Sequence, residues 1–574
     1  MDLITEHLDL WTSTIKAKKT TGRGSSKKQE LYGIKKLREL ILELAVRGLL
    51  VPQDANDEPA SGLIKKIKEE KAGLIKEGHF KRQKNISKST DEYSFRIASK
   101  WEWTNLDAIS DINGGFAFKS ANYEETGTRV IRISDFDEQG LKNQNIVRHS
   151  YSVELENYQL VEGNIIMAMT GGTVGKNLLV KELTERMIVN QRVATIRLIG
   201  LTSPDYISCV VNTSLVQNVI SEAKNSTNDN ISMKHIRSFK IPLPPLAEQK
   251  RIVAKVDELM ALCDQLEQQT EDQFTAHETL VKTLLDSLTS ATADSAQFQQ
   301  AWQQIEANFD LLFTTESSID HLKQSILQLA VMGKLVPQDP TDEPAEELLG
   351  KIAVKKAKLV KEKKNKKKKS LLPVENSEQT FEIPQEWEWT KFGCVVDYKS
   401  ELVKPDLFQE HDQVAPDSIE KGTGKLLWRR TVEESGIKGP NNRFYKGQIL
   451  YSKIRPSLSK AVIAEFDGLC SADMYPIESH ISPPFLLQLI LSEPFLIQVR
   501  ELENRIKMPK LNIDSLSNIA VPIPPLAEQH RIVAKVDELM TLCDTLKSTI
   551  NSANATQLNL TDTISNNCFK VIHD

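Results

Sequence analysis

Three strings in this chain carry residue types that do bond chemistry. Ser482-Pro-Pro-Phe485 has the make-up of the Pro-Pro-aromatic loop with which amino-methyltransferases hold a flipped adenine. That reaction also needs a glycine-rich loop after a strand to hold S-adenosylmethionine, and none accompanies it here. Gly171-Gly-Thr-Val-Gly-Lys176 imitates a phosphate loop, which requires Gly, four residues, then Gly-Lys-Ser/Thr. Thr170 stands at the required first glycine and Asn177 follows the lysine, so a tight turn whose Lys176 can reach a phosphate is expected instead. Pro204-Asp205 with Glu222-x-Lys224 has the residue set of a metal-dependent nuclease, but LVQNVISEAK reads as a helix, where that chemistry uses a strand. The histidines form no ligand pair, the cysteines no Cys-x-x-Cys, and no Ser or Cys lies in a nucleophile elbow. The expectation is a chain that performs no bond chemistry and holds no metal.

What remains is recognition. Arg suits guanine edges and Asn or Gln suits adenine, while Lys and turn amides hold phosphate. Candidates at turns and strand ends of a first variable segment are Lys119, Arg132, Lys176, Asn190, Gln191, Arg192 and Lys234. In a second variable segment they are Arg429, Arg430, Arg443, Lys453, Arg455, Lys507 and Lys510. For any single one, a solvated surface charge accounts for the residue as well as contact does. Phe116, Phe118 and Tyr445 could shape a groove contact, with buried core the expected role. Lys351 to Lys369 holds eleven lysines against Glu362 alone, and Lys65 to Lys84 eight basic residues against three acids. Both a solvated connector and a phosphate-backbone role fit these linkers.

The elements that would position such residues are written twice. LAVRGLLVPQDANDEPA from Leu44 returns from Leu329 with 13 of 17 positions identical, and Trp101-Glu-Trp-Thr104 returns at Trp387. PLPPLAEQKRIVAKVDELMALCD from Pro242 returns from Pro522 with 20 of 23 identical. Between the second and third anchors the copies share little, so a duplicated frame carries two diverged inserts. Short β-rich runs such as Arg129 to Ser134, Asn164 to Met169 and Val193 to Ile199, separated by Gly, Asn and Asp, predict compact α/β (α+β) domains. After each Pro-Pro pair a long helix is expected. Ile252, Val256, Leu259, Cys263 and Leu266 recur at spacings of four and three, and Ile532, Val536, Leu539, Cys543 and Leu546 repeat them. This is a helix-on-helix seam, expected to face the matching seam of the other copy, with docking on its own insert as the alternative. The expected segments are 1–99 (helical region and basic linker), 100–241 (first insert), 242–310 (long helix), 311–385 (central helical region and Lys-rich linker), 386–521 (second insert) and 522–574 (second long helix and tail).

The bulk numbers agree with a globular chain. A length of 574 residues allows roughly three or four domains, and 40% apolar with 26% charged residues is neither disordered nor membranous. No apolar run approaches the ~20 residues of a membrane span, and the first residues are no secretory signal. A soluble intracellular protein with reduced thiols is expected. The net charge of -5 hides local basic segments beside acidic helices.

PLPPLAEQKRIVAKVDELMALCDQLE and its second copy, each after an insert, resemble the specificity subunit of Type I restriction-modification enzymes. LAVRGLLVPQD, repeated mid-chain, resembles the branch of that family with an extra N-terminal conserved region, and VEGNIIMAMTGGTVGK and YKGQILYSKIRPSLSK are similar to strand-turn segments of its target recognition domains. The resemblance spans nearly the whole chain. It implies two α/β target recognition domains held apart by two long antiparallel coiled-coil helices, in an internal pseudo-two-fold repeat. Each domain would read one half of a bipartite, asymmetric duplex DNA target. Two adenine methyltransferase subunits would dock on the repeated frame, and motor-nuclease restriction subunits would join them. S-adenosylmethionine, ATP and Mg would belong to those partners, leaving this chain non-catalytic and cytoplasmic. A helical scaffold whose inserts bind proteins is the competing expectation.

Overall fold

The computed structural model describes residues 5–17, 29–80, 95–226, 229–290, 295–361, 371–503 and 510–567. They form two compact units, one of residues 1–272 with 554–574 and one of residues 273–553. Six helices organise them: α1 (Tyr32–Val46), α2 (Ala60–Lys76), α3 (Leu246–Leu288), α4 (Glu316–Val331), α5 (Ala345–Lys361) and α6 (Leu526–Asn567). The two long ones are exchanged, since α3 begins in the first unit and ends in the second while α6 does the reverse.

The repeated sequence is repeated structure, for reasons visible in its side chains. Helices α1 and α4 end on Gly48 and Gly333, at φ +72° and +70°. The next residues' amides, of Leu49 and Lys334, turn back to Leu44 and Leu329 O at 3.0 Å. That closure needs a left-handed residue, which glycine supplies without a Cβ penalty. In the first unit buried Glu248 accepts from Trp101 Nε1 (3.0 Å) and Gln53 Nε2 (2.6 Å). In the second, Glu528 accepts from Trp387 (3.0 Å) and Gln338 (2.8 Å). Burial pushes both carboxyls above their ordinary range. The neighbouring Gln249 and Gln529 accept from the amides of Ser203 (3.0 Å) and Ser482 (2.9 Å) in the inserts. In each Leu-Ala-Glu-Gln motif, then, the Glu ties the helix to the Val-Pro-Gln-Asp loop and the Gln ties it to the insert.

The lysine-rich segments contribute to the fold where they are described. Lys71 of α2 is half-buried, donating to Asp107 O and to Ser110 O at 2.9 Å, and burial lowers its pKa. Lys356 of α5 reaches Gly393 O and Val396 O, both at 2.8 Å, around the end of the short helix Phe392–Val395. A cation there satisfies carbonyls that the helix leaves unpaired. Residues 81–84 and 362–369 of these segments lie outside the described residues.

Despite their divergence, both inserts build the same antiparallel sheet. The first uses β1 (Ser110–Gly114), β2 (Ile165–Ala168), β3 (Asn177–Leu179) and β4 (Val193–Leu198) in the order β3-β2-β4-β1. The second uses β5 (Val396–Tyr398), β6 (Ile449–Ser452), β7 (Ala461–Ile463) and β8 (Met474–Ser479) in the order β7-β6-β8-β5. A second sheet in each holds a parallel pair, Met187–Val189 with Thr128–Ile131 and Gly468–Cys470 with Asp412–Val414. Its extra strands differ, one in the first insert and two in the second, where Leu402–Val403 pairs outside Asn441–Phe444. Val147–His149 adds beside Thr128–Ile131 in the first insert, whereas Asn441–Phe444 adds beside Gly468–Cys470 in the second.

The seam is buried as its spacing predicts, but its partner needs correction. Ile252, Val256, Leu259, Cys263 and Leu266 pack into the core of the first unit with Leu37, Leu40, Ile41 and Leu44 of α1. Ile532, Val536, Leu539, Cys543 and Leu546 pack into the second unit's core with Ile319 and Ile326 of α4. The two seams therefore lie in separate cores instead of pairing with each other. The cause is an apolar stripe of matching spacing on the helix of the same copy, reinforced by charge. Arg38 of α1 meets Asp264 (2.7 Å) and Glu267 (2.6 Å) of α3, and Lys547 of α6 meets Asp320 of α4 at 2.8 Å. The exchanged helix ends also have fixed seats. Thr561 meets Thr14 at 3.0 Å and Asp562 accepts from Tyr32 Oη at 2.7 Å in the first unit, while Val281, Leu285 and Leu288 join the second unit's core.

Candidate nucleic-acid interface

In each insert one end of the four-stranded sheet gathers loops from several parts of the chain. In the first, Met169 N, just past β2, donates to Arg192 O at 2.9 Å, and Gln191 N donates to Phe116 O at 2.9 Å. Ile231 N returns to Met169 O at 2.9 Å, which brings in the short helix Met233–Arg237 that carries Lys234. Gln191, Arg192, Lys119 and Lys234 are exposed here. Asn190 is half-buried, its Oδ1 accepting from Arg192 N at 3.2 Å. This end thus joins amide and guanidinium groups on one rim, the residue types that read adenine and guanine.

Arg132 is adjacent in the fold, since Asn190 N bonds Ile131 O at 2.9 Å. Its guanidinium is nevertheless engaged in a turn, with Nε and Nη2 on Asp135 (2.8 and 2.9 Å) and Nη2 on Asn145 O (2.7 Å). Lys176 is half-buried and closes the turn after β2, where Gly171 (φ +74°) opens the 3₁₀ segment Gly171–Thr173 and Gly175 (φ +85°) follows it. The expected tight turn is present.

The second insert has the same turn with other residues. Arg455 (φ +47°) and Ser459 (φ +48°) flank Pro456–Leu458, and Ile454 pairs with Lys510 as Thr170 pairs with Asn230. Lys453 N donates to Asp473 O at 3.0 Å, the counterpart of Met169 to Arg192. Position by position, Asn190-Gln191-Arg192 becomes Ser471-Ala472-Asp473, and Gly171 becomes Arg455. Asp473 engages Lys510 (3.3 Å) and Lys453 (3.9 Å), so these two candidates are paired while Arg455 is exposed.

Arg429, Arg430 and Arg443 form another group, beside the second sheet. Arg429 pairs with Asp412 and lies over Phe466 at 3.9 Å, and Arg430 bonds Gln413 (3.1 Å) and lies over Trp428 at 4.6 Å. Arg443 sits between Phe408 and Tyr445, at 5.3 and 4.9 Å from the ring centres. Stacked guanidinium planes are held in place yet keep donors at their edges. Lys507 lies outside the described residues. Of the aromatic candidates, Phe118 is buried and Phe116 half-buried, but Tyr445 is exposed at 39%. Its place beside Arg443 and the bond of its Oη to Glu401 (3.1 Å) explain why it is not core. Sequence reasoning missed exposed Trp428 and the exchange of Arg192 for Asp473. Superposing the two strand-turn segments by their Gly-Asn-Ile and Gly-Gln-Ile starts sets Gly171 against Arg455, but Arg192 and Asp473 lie beyond them and three residues out of that register, so only the strand pairing equates them.

The geometry defines a class: a duplicated helical frame bearing two sheets of one topology with unlike chemistry at equivalent rims. Residues 98–276 and 418–553 match the family model described as Type I restriction modification DNA specificity domain. The Type I restriction enzyme EcoAI specificity subunit of Escherichia coli is 36% identical, with 98% of each chain covered. The EcoEI specificity subunit of the same species is 35% identical at the same coverage. The chain belongs to the family of Type I restriction-modification specificity subunits. A solved HsdS subunit from Thermoanaerobacter tengcongensis is 16% identical over 82% of this chain and 97% of that one, with a TM-score of 0.40. Among the described residues no helix is long and apolar enough to cross a membrane.

Proposed function

We propose that this chain is the non-catalytic DNA-reading subunit of a cytoplasmic Type I restriction-modification complex, with each insert reading one half of a bipartite, asymmetric duplex target. The observation that carries this is the pair of equivalent rims, Asn190-Gln191-Arg192 with Gly171 in one and Ser471-Ala472-Asp473 with Arg455 in the other. One fold presenting two donor and acceptor patterns suits two unlike half-sites. The candidate contacts on these rims are Lys119, Lys176, Gln191, Arg192, Lys234, Arg455 and Lys510, with Arg429, Arg430 and Arg443 beside the second sheet.

The frame serves partners. On α3 and α6, Ala254, Asp257, Glu258 and Leu262 are exposed and reappear as exposed Ala534, Asp537, Glu538 and Leu542. Core packing does not require identity at exposed positions. Two equal patches accept two equal partners, here two methyltransferase subunits, with restriction subunits joining the assembly. S-adenosylmethionine, ATP and Mg are bound by those subunits.

The test is binding of the complex with its methyltransferase subunits to duplex DNA across a salt series. Expected is sequence-selective binding whose affinity falls steeply with salt, together with methylated adenines in a split sequence. Binding of proteins but of no preferred duplex would support the scaffold reading instead.

A further inference from the structure

Among the described residues, four that are not glycine adopt left-handed backbone: Asn145, Asp229, Arg455 and Ser459. A Cβ makes this conformation unfavourable, and Asn and Asp tolerate it best. Ser459 is buried with its Oγ donating to Ile490 O at 3.3 Å, so the fold compensates it. Nothing comparable holds Arg455. Its side chain is exposed and makes no hydrogen bond, ion pair or ring contact among the described residues, and the following proline favours extended backbone at position 455. The first insert makes the same turn with Gly171, where an added Cβ would meet nothing within 4 Å. Glycine therefore closes this turn without strain, and an arginine in its place calls for a reason outside the fold.

The turn is also a firm base. Ile454 is paired with Lys510, Pro456 is buried, Ser457 N bonds Glu503 Oε1 at 3.1 Å and Leu458 N bonds Arg455 O at 2.9 Å. The nearby cations Lys453 and Lys510 are paired with Asp473.

We infer that Arg455 is a specificity-determining residue of the second insert, its guanidinium fork reading a guanine edge in the major groove of that half-site. The inference rests on the DNA-reading function proposed above. A phosphate is met equally well by a lysine on a flexible stem, whereas guanine O6 and N7 are matched by two donors in fixed register. A strained, rigid seat serves the second task. In the first insert the corresponding position is bare and the exposed cation, Arg192, stands where the second has Asp473, so the two inserts read from different points of one rim.

The experiment compares the wild-type complex with Arg455→Gly and Arg455→Lys, using competing duplexes altered one base pair at a time, with unfolding temperature measured alongside. Arg455→Gly should unfold at a higher temperature, because left-handed strain is relieved. It should also bind the cognate duplex about 5- to 150-fold more weakly and lose discrimination at one guanine of the second half-site, leaving the first unchanged. Arg455→Lys should not restore that discrimination. Its restoration by lysine, an unchanged base profile in Arg455→Gly, or a lower unfolding temperature for Arg455→Gly would each overturn the inference. If the wild-type complex prefers no sequence, the proposed function itself fails, which is a separate result.

Discussion

The two inserts differ at their rims far more than at their four-stranded sheets, while the anchors of the frame that carries them hardly differ. β2 and β6 sit in the same place in sheets of one order, yet one runs into Thr170-Gly171-Gly172 and the other into Ile454-Arg455-Pro456. Helices α3 and α6 begin with nearly the same residues, because Glu248 and Glu528, and Gln249 and Gln529, each have two partners to satisfy. A buried polar group with every bond made tolerates almost no substitution. A loop facing solvent tolerates nearly any. Sequence identity within this one chain thus separates what holds from what reads.

The largest test of that division replaces residues 104–241 with an unrelated insert of the same family. The first half-site should change completely and the second not at all, as read by mapping methylated adenines. A change in both halves would show that the inserts do not read independently. Next in size is the patch proposed to receive the partners. Leu262 and Leu542 are 48% and 59% exposed at equivalent positions. Glu in place of both should weaken methyltransferase binding by roughly 2–4 kcal/mol per site, the range of an interface hot spot, and either change alone should leave a complex with one copy. Mass measurement of the assembled complex decides it; full assembly by the double variant removes the patch from the interface.

A third test concerns the frame itself. Glu248→Leu keeps approximate size but removes the acceptor of Trp101 Nε1, leaving that buried donor unpaired. The expected cost is about 1–3 kcal/mol, measured by chemical denaturation, with Glu528→Leu, which strands Trp387 Nε1, costing about the same. Unequal costs would mean that the two copies are less alike in energy than in sequence.

The frame was legible in the sequence because duplication left its anchors nearly unchanged, and the seam because its spacing of four and three is periodic. Which helix the seam meets was not legible. Leu37, Leu40, Ile41 and Leu44 offer α3 an apolar stripe as α6 does, and the ion pairs of Arg38 with Asp264 and Glu267 that reinforce the packing on α1 join residues more than two hundred positions apart. On the rims, residue type pointed to Arg192 and Arg455 without telling them from Arg132, whose three bonds inside its own turn depend on where the chain brings Asp135 and Asn145. The left-handed backbone at Arg455 has no sequence signal in one copy alone; it shows only against Gly171. The identical topology of the two sheets was hidden too, since strands burying both faces specify apolar character rather than particular residues.

The smallest expected effect is at the ion pairs that brace the frame loops, Arg251 with Asp57 and Arg531 with Asp342, each at 2.6 Å. Both carboxylates are buried and both arginines about a third exposed, so each pair should contribute no more than ~1 kcal/mol. The Arg251 guanidinium holds the Asp57 carboxyl below its ordinary value of 3.8. A depressed carboxyl pKa means that the folded state favours the charged form, so this contribution is complete above that ordinary value and disappears as pH falls through the lower folded one. Asp57→Asn should therefore be less stable than wild type at neutral pH, with the difference closing only under strongly acidic conditions. Asp342→Asn should show the same small loss at neutral pH. A difference that instead closed between pH 5 and 7 would assign the effect to some other group, and a loss confined to one copy would mark the point where the two frames have begun to diverge as their inserts have.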